Sequence, residues 1–439
     1  MKRFISLLAA LIIFCCLITS CAGKDKPAVN SLDSAISKVE NEETEGFDDL
    51  LFDDVEVEFV NNNSYLELGI NDSMNELIKN YFISYYRALG SLEDHDMSEY
   101  FAKDREYEAC IVNEMISYQN GIRKSFTYDM QYKKASVGIT YRSADEVDGG
   151  YKIYLCENNA MNFNYISDIT SYTSDVEHYF TVKENEGRYL ITEHSEISGV
   201  YDLIKSGFEK YTNGLSDYDT DEIFGIVKDY FVSITEKELK EVNKQREEYN
   251  NSPESFETDL VADNEYDVDS ALAYSYEWAG KTQAKRNPDF GMYDIYGGNC
   301  NNFTSQCLFA GGIPMDLQGV QWKWYGESVN STGGAHGRSP SWAECDYFYS
   351  YCTENEGFGL VCDYSSNIFS GRPGDLVQYI VDDTDAVHTV IITKVIYDSE
   401  GNVVDYLINS NTTDKVDSPM SAYGYTNFRL IKIIGWNNN

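Results

Sequence analysis

The chain has 439 residues, 42% of them hydrophobic and 24% charged, which is too long and too apolar to lack a core, and two or three domains are expected at this length. Lys plus Arg number 34 against 73 Asp plus Glu, and the resulting formal charge of −39 repels phosphate backbones and argues against a nucleic-acid partner. Tyrosine is common, with 36 copies against 21 Phe and 5 Trp, which suits half-buried strand faces and wet surfaces that face peptide or carbohydrate.

Met1-Lys2-Arg3 is a short basic start, and the apolar run from Phe4 to Ile18 has the length of a secretory core rather than of a membrane span. Leu17-Ile18-Thr19-Ser20-Cys21, followed by Ala22-Gly23, resembles the lipobox of bacterial lipoproteins. The resemblance implies a signal peptide over residues 1–20, lipidation at Cys21 and an extracytoplasmic chain held to a bacterial membrane by its acyl chains alone. Loss of residues 1–20 removes two bases and no acid, so the exported part carries a formal charge of −41. Seven cysteines then remain, Cys110, Cys156, Cys300, Cys307, Cys345, Cys352 and Cys362, and an odd number leaves at least one thiol without an intrachain partner. No Cys-x2-Cys pair or Cys/His cluster suggests zinc.

Residues 21–58 are expected to form an acidic tether, with twelve acids against three Lys after Cys21 and little periodicity. From 59 to 205 the pattern predicts an α+β domain. Apolar residues at helical spacing run from Asn71 to Tyr86, and strand-like alternation follows at Ala135–Tyr141, Tyr151–Cys156, Val176–Val182 and Arg188–Thr192. One helix and several antiparallel strands suggest an NTF2-like or cystatin-like shape, which by itself implies no function. Residues 206–262 read as a helical linker, with Ile223, Ile226, Val227, Tyr230, Phe231 and Ile234 on one face of Glu222–Tyr249. The chemistry is expected in the last domain, 263–439.

There, Gly297-Gly298-Asn299 precedes Cys300, and Gly311-Gly312 with Pro314 follows Ala310, so a helix is bracketed over Cys300–Ala310 with Asn299 as its N-cap. A thiol on the first residue of a helix faces the positive end of its dipole, which favours thiolate. The Cys300 N–H has no acceptor within the helix and is free to donate to an oxyanion. Only five His are present, and His336 and His388 are the two in this domain. His336 sits in a Gly-rich loop, whereas His388 opens the strand-like run Val387–Val395, so His388 is the expected base. A turn near Ser399-Glu400-Gly401 places residues 411–413 across from His388, with Asn409 and Asn411 on one face as candidates to orient the imidazole. Asp263, Glu265, Asp267 and Asp269 lack the glycine and final Glu of a calcium loop and read as acids at a helix start. Trp322, Trp324 and Trp342 are expected either to wall a substrate groove or to pack in the core.

Tyr266-Asp267, Arg286-Asn287-Pro288, Asn299-Cys300-Asn301-Asn302-Phe303-Thr304-Ser305-Gln306, Gly311-Gly312, Trp322, Ser341-Trp342, Gly374-Asp375-Leu376-Val377-Gln378-Tyr379 and His388-Thr389-Val390-Ile391 together resemble the putative amidase domain family of bacterial surface proteins, kin to CHAP and NlpC-type hydrolases. Asn299 and Asn301 stand where that family usually has Asp and Thr. The resemblance implies a papain-like α+β fold and a Cys300–His388 pair that cleaves an amide without metal or organic cofactor, in a peptide or peptidoglycan. The alternative is a surface lipoprotein whose domain binds peptide or cell-wall glycan without cleaving it.

Overall fold

The computed structural model describes residues 54–60, 64–213, 219–330, 332–364, 366–381 and 384–439. The expected signal peptide, Cys21 and most of the acidic tether lie outside these residues. In chain order the first half contains strand β1 (Val55–Phe59), helices α1 (Ser64–Glu67), α2 (Asp72–Ser91) and α3 (Glu106–Lys124), strands β2 (Tyr132–Val147), β3 (Gly150–Phe163), β4 (Ser171–Asn185) and β5 (Arg188–Glu196), then helices α4 (Gly199–Thr212) and α5 (Thr220–Asn251). The second half contains α6 (Val268–Trp278), α7 (Cys300–Ala310), the short strands β6 (Trp324–Tyr325) and β7 (Gly337–Arg338), α8 (Pro340–Ala343), α9 (Cys345–Glu354), β8 (Gly359–Asp363), β9 (Leu376–Val381), β10 (Asp385–Tyr397), β11 (Val403–Ser410), β12 (Asp414–Pro419) and β13 (Phe428–Asn437).

The expected elements form, and the architecture is a mixed α+β one with a single large sheet. α2 starts where Asn71 Oδ1 accepts from the Met74 N–H at 3.0 Å and ends at Leu92, whose φ of 60° breaks the helical path. Its apolar face, with Met74, Ile78, Phe82 and Leu89, packs with residues of α3 over β2–β5 in one core. The acidic stretch does not stay a tether to residue 58. Val55–Phe59 adds to β2 in parallel, because Val57 turns inward to the same core.

The two halves share one sheet. Its order is β1-β2-β3-β4-β12-β11-β10-β9-β13-β8, with β5 on β4. The same edge of β4 serves two partners: Tyr172, Thr173 and Ser174 pair with Val416, Lys415 and Asp414 of β12, whereas His178 to Asn185 pair with β5. Between them Asp175 takes a φ of 55°, a left-handed conformation that an L residue rarely adopts, and this break lets the strand change neighbours. α5 is more than a linker. Its 32 residues rise about 48 Å. Ile223, Phe224, Val227 and Phe231 pack with Ile111 of α3 and Ile204 and Phe208 of α4, while Val242 reaches the core under β9–β11.

Candidate active site

α7 begins at Cys300 and ends at Ala310, as its flanking glycines require. Gly297 and Gly298 hold φ values of 110° and 129°, a backbone conformation that favours glycine at the approach to the helix. The Asn299 side chain makes no cap. Its Oδ1 accepts from the Tyr293 N–H at 3.1 Å and from Asn302 Nδ2 at 2.8 Å, and its Nδ2 donates to Asn411 Oδ1 at 2.9 Å. Asn299 is thus tied into the loops around the helix start, and no side chain caps the first turn of α7.

The polar motif after Cys300 is buried structure rather than contact surface. Asn301 Nδ2 donates to the carbonyls of Ser341 and Trp342, Asn302 Oδ1 accepts from Trp342 Nε1 at 2.8 Å, and Ser305 Oγ accepts from Trp322 Nε1 at 3.0 Å. Trp322 and Trp342 are 0% exposed and pack at 4.7 Å between ring centres, so neither walls a groove. Their indole N–H groups find partners inside, which satisfies the one polar atom a buried Trp carries. Trp324 is half-buried and donates to Tyr293 OH at 2.7 Å.

Cys300 lies beside His388 of β10. The Cys345 thiol hydrogen-bonds it, with Sγ atoms 3.8 Å apart. That bond, the charge and hydrogen bond of the His388 imidazole, and the Thr389 backbone together hold the Cys300 thiol well below its ordinary value, although burial opposes them. Cys345 moves the other way. Its bond to Cys300 and burial push it up. Cys307, on the same helix but facing the core, is pushed up by burial alone.

His388 is 7% exposed, and its Nε2 lies 2.7 Å from Tyr423 OH. Asn409 and Asn411 do not touch it. Asn409 pairs with Ile391, so by the period of two it shares the face of Ile391, which α6 and α7 cover, whereas His388 alternates with Val390 and Ile392 on the other face. Asn409 Nδ2 therefore donates to Ser275 Oγ at 3.0 Å, and Asn411 Nδ2 to the Trp278 carbonyl at 3.0 Å. The hairpin register expected from the sequence is right, since Ile391 opposes Asn409 and Tyr397 opposes Val403, but the orienting group comes from outside the hairpin. Tyr423 follows a short helical turn, Met420–Ala422, and stacks on Tyr379 at 4.7 Å. Burial keeps its phenol protonated.

Two further residues stand in the sequence motifs without a role that the sequence pattern assigns. Thr389 addresses both sulfurs, donating from Oγ1 to Cys345 at 3.1 Å while its backbone reaches Cys300. Gln378, wholly buried on β9, donates to the Cys345 carbonyl at 2.9 Å and to Thr389 Oγ1 at 3.2 Å, and accepts from Arg429 Nε at 3.0 Å. Arg286 braces the adjoining loop, with Nη1 2.7 Å from Asp414 and Nη2 2.6 Å from Asp294. His336 is exposed on its loop beside Asn330, and Asp267 caps α6 by accepting from the Ser270 N–H.

Among the described residues one group has the spacing of metal donors, His178, His194 and Glu196, with ligand atoms within 4.8 Å of one another. These atoms lie in the other half of the sheet. His178 is hydrogen-bonded to His194 through Nδ1 and to Glu157 through Nε2, and Ser198 donates to Glu196, under the rings of Tyr81 and Phe82, while His194 Nδ1 is buried without a hydrogen-bond partner. Among the described residues no helix is long and apolar enough to cross a membrane. No curated protein and no solved structure matches the chain. Residues 265–434, which hold Cys300, Cys345, His388 and Tyr423, match the family described as the putative amidase domain, and this bears out the resemblance carried by the sequence motifs.

Proposed function

We propose that the chain is a cysteine hydrolase of amide bonds, with Cys300 as nucleophile, His388 as base and Tyr423 as the group that orients His388. The observation that carries this reading is the Cys300 thiol on the first turn of α7, lowered by Cys345, His388 and Thr389 together. Kinship with an amidase family supports the amide as substrate. His388 takes the proton of Cys300, and the thiolate attacks the carbonyl carbon. The N–H groups of the uncapped first turn of α7 receive the charge that develops on the oxygen. The amine leaves with the proton from His388, and water then cleaves the thioester with His388 again as base. A pair built on a helix N-terminus and a facing strand is also the papain-like arrangement that the motifs imply.

The lipobox-like Leu17–Cys21 supports a place outside the cytoplasmic membrane, where peptidoglycan stem peptides are the abundant amide substrate. Mass spectrometry of purified cell wall, digested with wild type and with Cys300→Ala, tests the whole reading. Wild type releases fragments with a new amine and a new carboxylate, and the variant releases none. Equal release by both would overturn the thiol mechanism, and release by neither would favour a binding lipoprotein.

A further inference from the structure

We propose that Cys300 and Cys345 form a reversible disulfide, which makes the site a thiol-oxidation site with its resolving cysteine built in. The two sulfurs already lie 3.8 Å apart, in hydrogen-bond contact, and a disulfide needs about 2.05 Å. Both thiols stand on the first residue of a helix, Cys300 on α7 and Cys345 on α9. Cys345 is held in place from two sides, by Thr389 Oγ1 on its sulfur at 3.1 Å and by Gln378 on its carbonyl at 2.9 Å. No other cysteine has such a relation to Cys300 among the described residues. Cys307 turns to the core from the same helix, and Cys362 Sγ donates to the Cys352 carbonyl.

The chemistry balances with a hydroperoxide as oxidant. The Cys300 thiolate attacks one oxygen of hydrogen peroxide, the O–O bond breaks, and hydroxide leaves a sulfenic acid on Cys300. Cys345 then attacks that sulfur, the S–O bond breaks, the thiol proton joins the departing oxygen, and water is lost as the S–S bond forms. A dithiol reverses the step. Because Cys345 intercepts the sulfenic acid, Cys300 is spared oxidation to sulfinic and sulfonic acids, which thiols do not reverse. The consequence for activity rests on Cys300 being the nucleophile, but the disulfide itself does not.

The test uses the full-length mature protein exposed to hydrogen peroxide, alkylated, and digested without reductant. Mass spectrometry is expected to show one peptide joining Cys300 to Cys345, two hydrogens lighter than the two thiols. Cys300 found as sulfonic acid, or joined to another cysteine or to a second chain, overturns the proposal. In parallel, dithiothreitol after peroxide restores amide hydrolysis of the wild type to its untreated level and fails to restore that of Cys345→Ser. Equal recovery of both overturns the protective role. Since the crosslink is read without any substrate, it is decided even where the hydrolase reading fails.

Discussion

Two buried histidine sites stand on one sheet, and they differ in what holds the imidazole. His178 on β4 is 3.1 Å from Glu157 through Nε2, and its Nδ1 lies 3.3 Å from His194 and 3.7 Å from Glu196. Burial pulls its pKa down, but the hydrogen bond to Glu157 and the charges of Glu196 and Glu157 outweigh it, so His178 titrates above its ordinary value. Glu157 responds in kind. Burial would raise it, yet His178, Tyr86 and Asn159 hold it low. A proton clamped between carboxylates stays where it is. His388 instead has the Tyr423 phenol 2.7 Å from its Nε2 and the Cys300 sulfur beside it. The sequence offers both as histidines on strands; only the partners separate the structural ion pair from the proposed base.

The sharpest way to break this contrast is to remove each imidazole. His388→Ala is expected to lower kcat/KM by at least about a thousandfold, within the range of a lost general base, with the melting temperature nearly unchanged. His178→Ala should do the reverse and cost about 3–5 kcal/mol by leaving buried carboxylates unpaired, measurable by urea unfolding, while the folded fraction keeps its turnover. If His178→Ala lost activity without losing stability, the division of roles would fail.

A second measurement follows the thiol through pH. The Cys300 pKa is lowered, so its thiolate persists as the solution is acidified, and iodoacetamide should label it at nearly the same rate at pH 6 as at pH 8. An ordinary thiol slows about 80-fold over that interval. Cys307, raised by burial, should stay unlabelled throughout. In the His178 site the sign is opposite in pH. A raised imidazole contributes stability below its unfolded value and loses it as pH rises through the folded one, so the stability gap between wild type and His178→Gln should narrow on the alkaline side. A gap that widened there would show that the pair is not charged in the way described.

Smaller effects are expected from the groups that position the base. Tyr423→Phe leaves His388 Nε2 without its phenol, and a loss of about 1–3 kcal/mol should appear as a fall in kcat of roughly 5- to 150-fold with KM unmoved. Asn411→Ala, which frees Asn299 and the Trp278 carbonyl, should lower stability first. A fall in kcat on Asn411→Ala without any loss of stability would return Asn411 to the role that the sequence pattern assigned it.

Much of this site was readable before the fold. The bounds of α7 follow from glycines whose φ values no other residue takes easily, and His388 follows from strand context and the scarcity of histidine. Tyr423 was hidden because it is one of 36 tyrosines and reaches His388 from 35 positions along the chain through an irregular turn. Asn409 and Asn411 fit the right register but the wrong parity, a one-residue matter that moves a side chain to the other face. The shared sheet was hidden for a different reason. Its switch point is Asp175, which bears no glycine signature, and pairing between residues 172 and 416 leaves no local mark.

That shared edge on β4 decides where this protein can be cut. β12 follows directly on the Asn411–Thr413 turn beside the site, and Lys415 on it bonds Thr173 Oγ1 at 3.2 Å from one side while its ammonium sits 4.8 Å over the Tyr423 ring from the other. A gene fragment starting at residue 263 would encode every group of the proposed chemistry, yet its product would carry Asp414–Val416 as a bare strand edge, open to pairing with any neighbouring chain. The first half of the molecule is therefore the seal on the second, and a shortened enzyme would have to be built with that edge blunted before its activity could be judged.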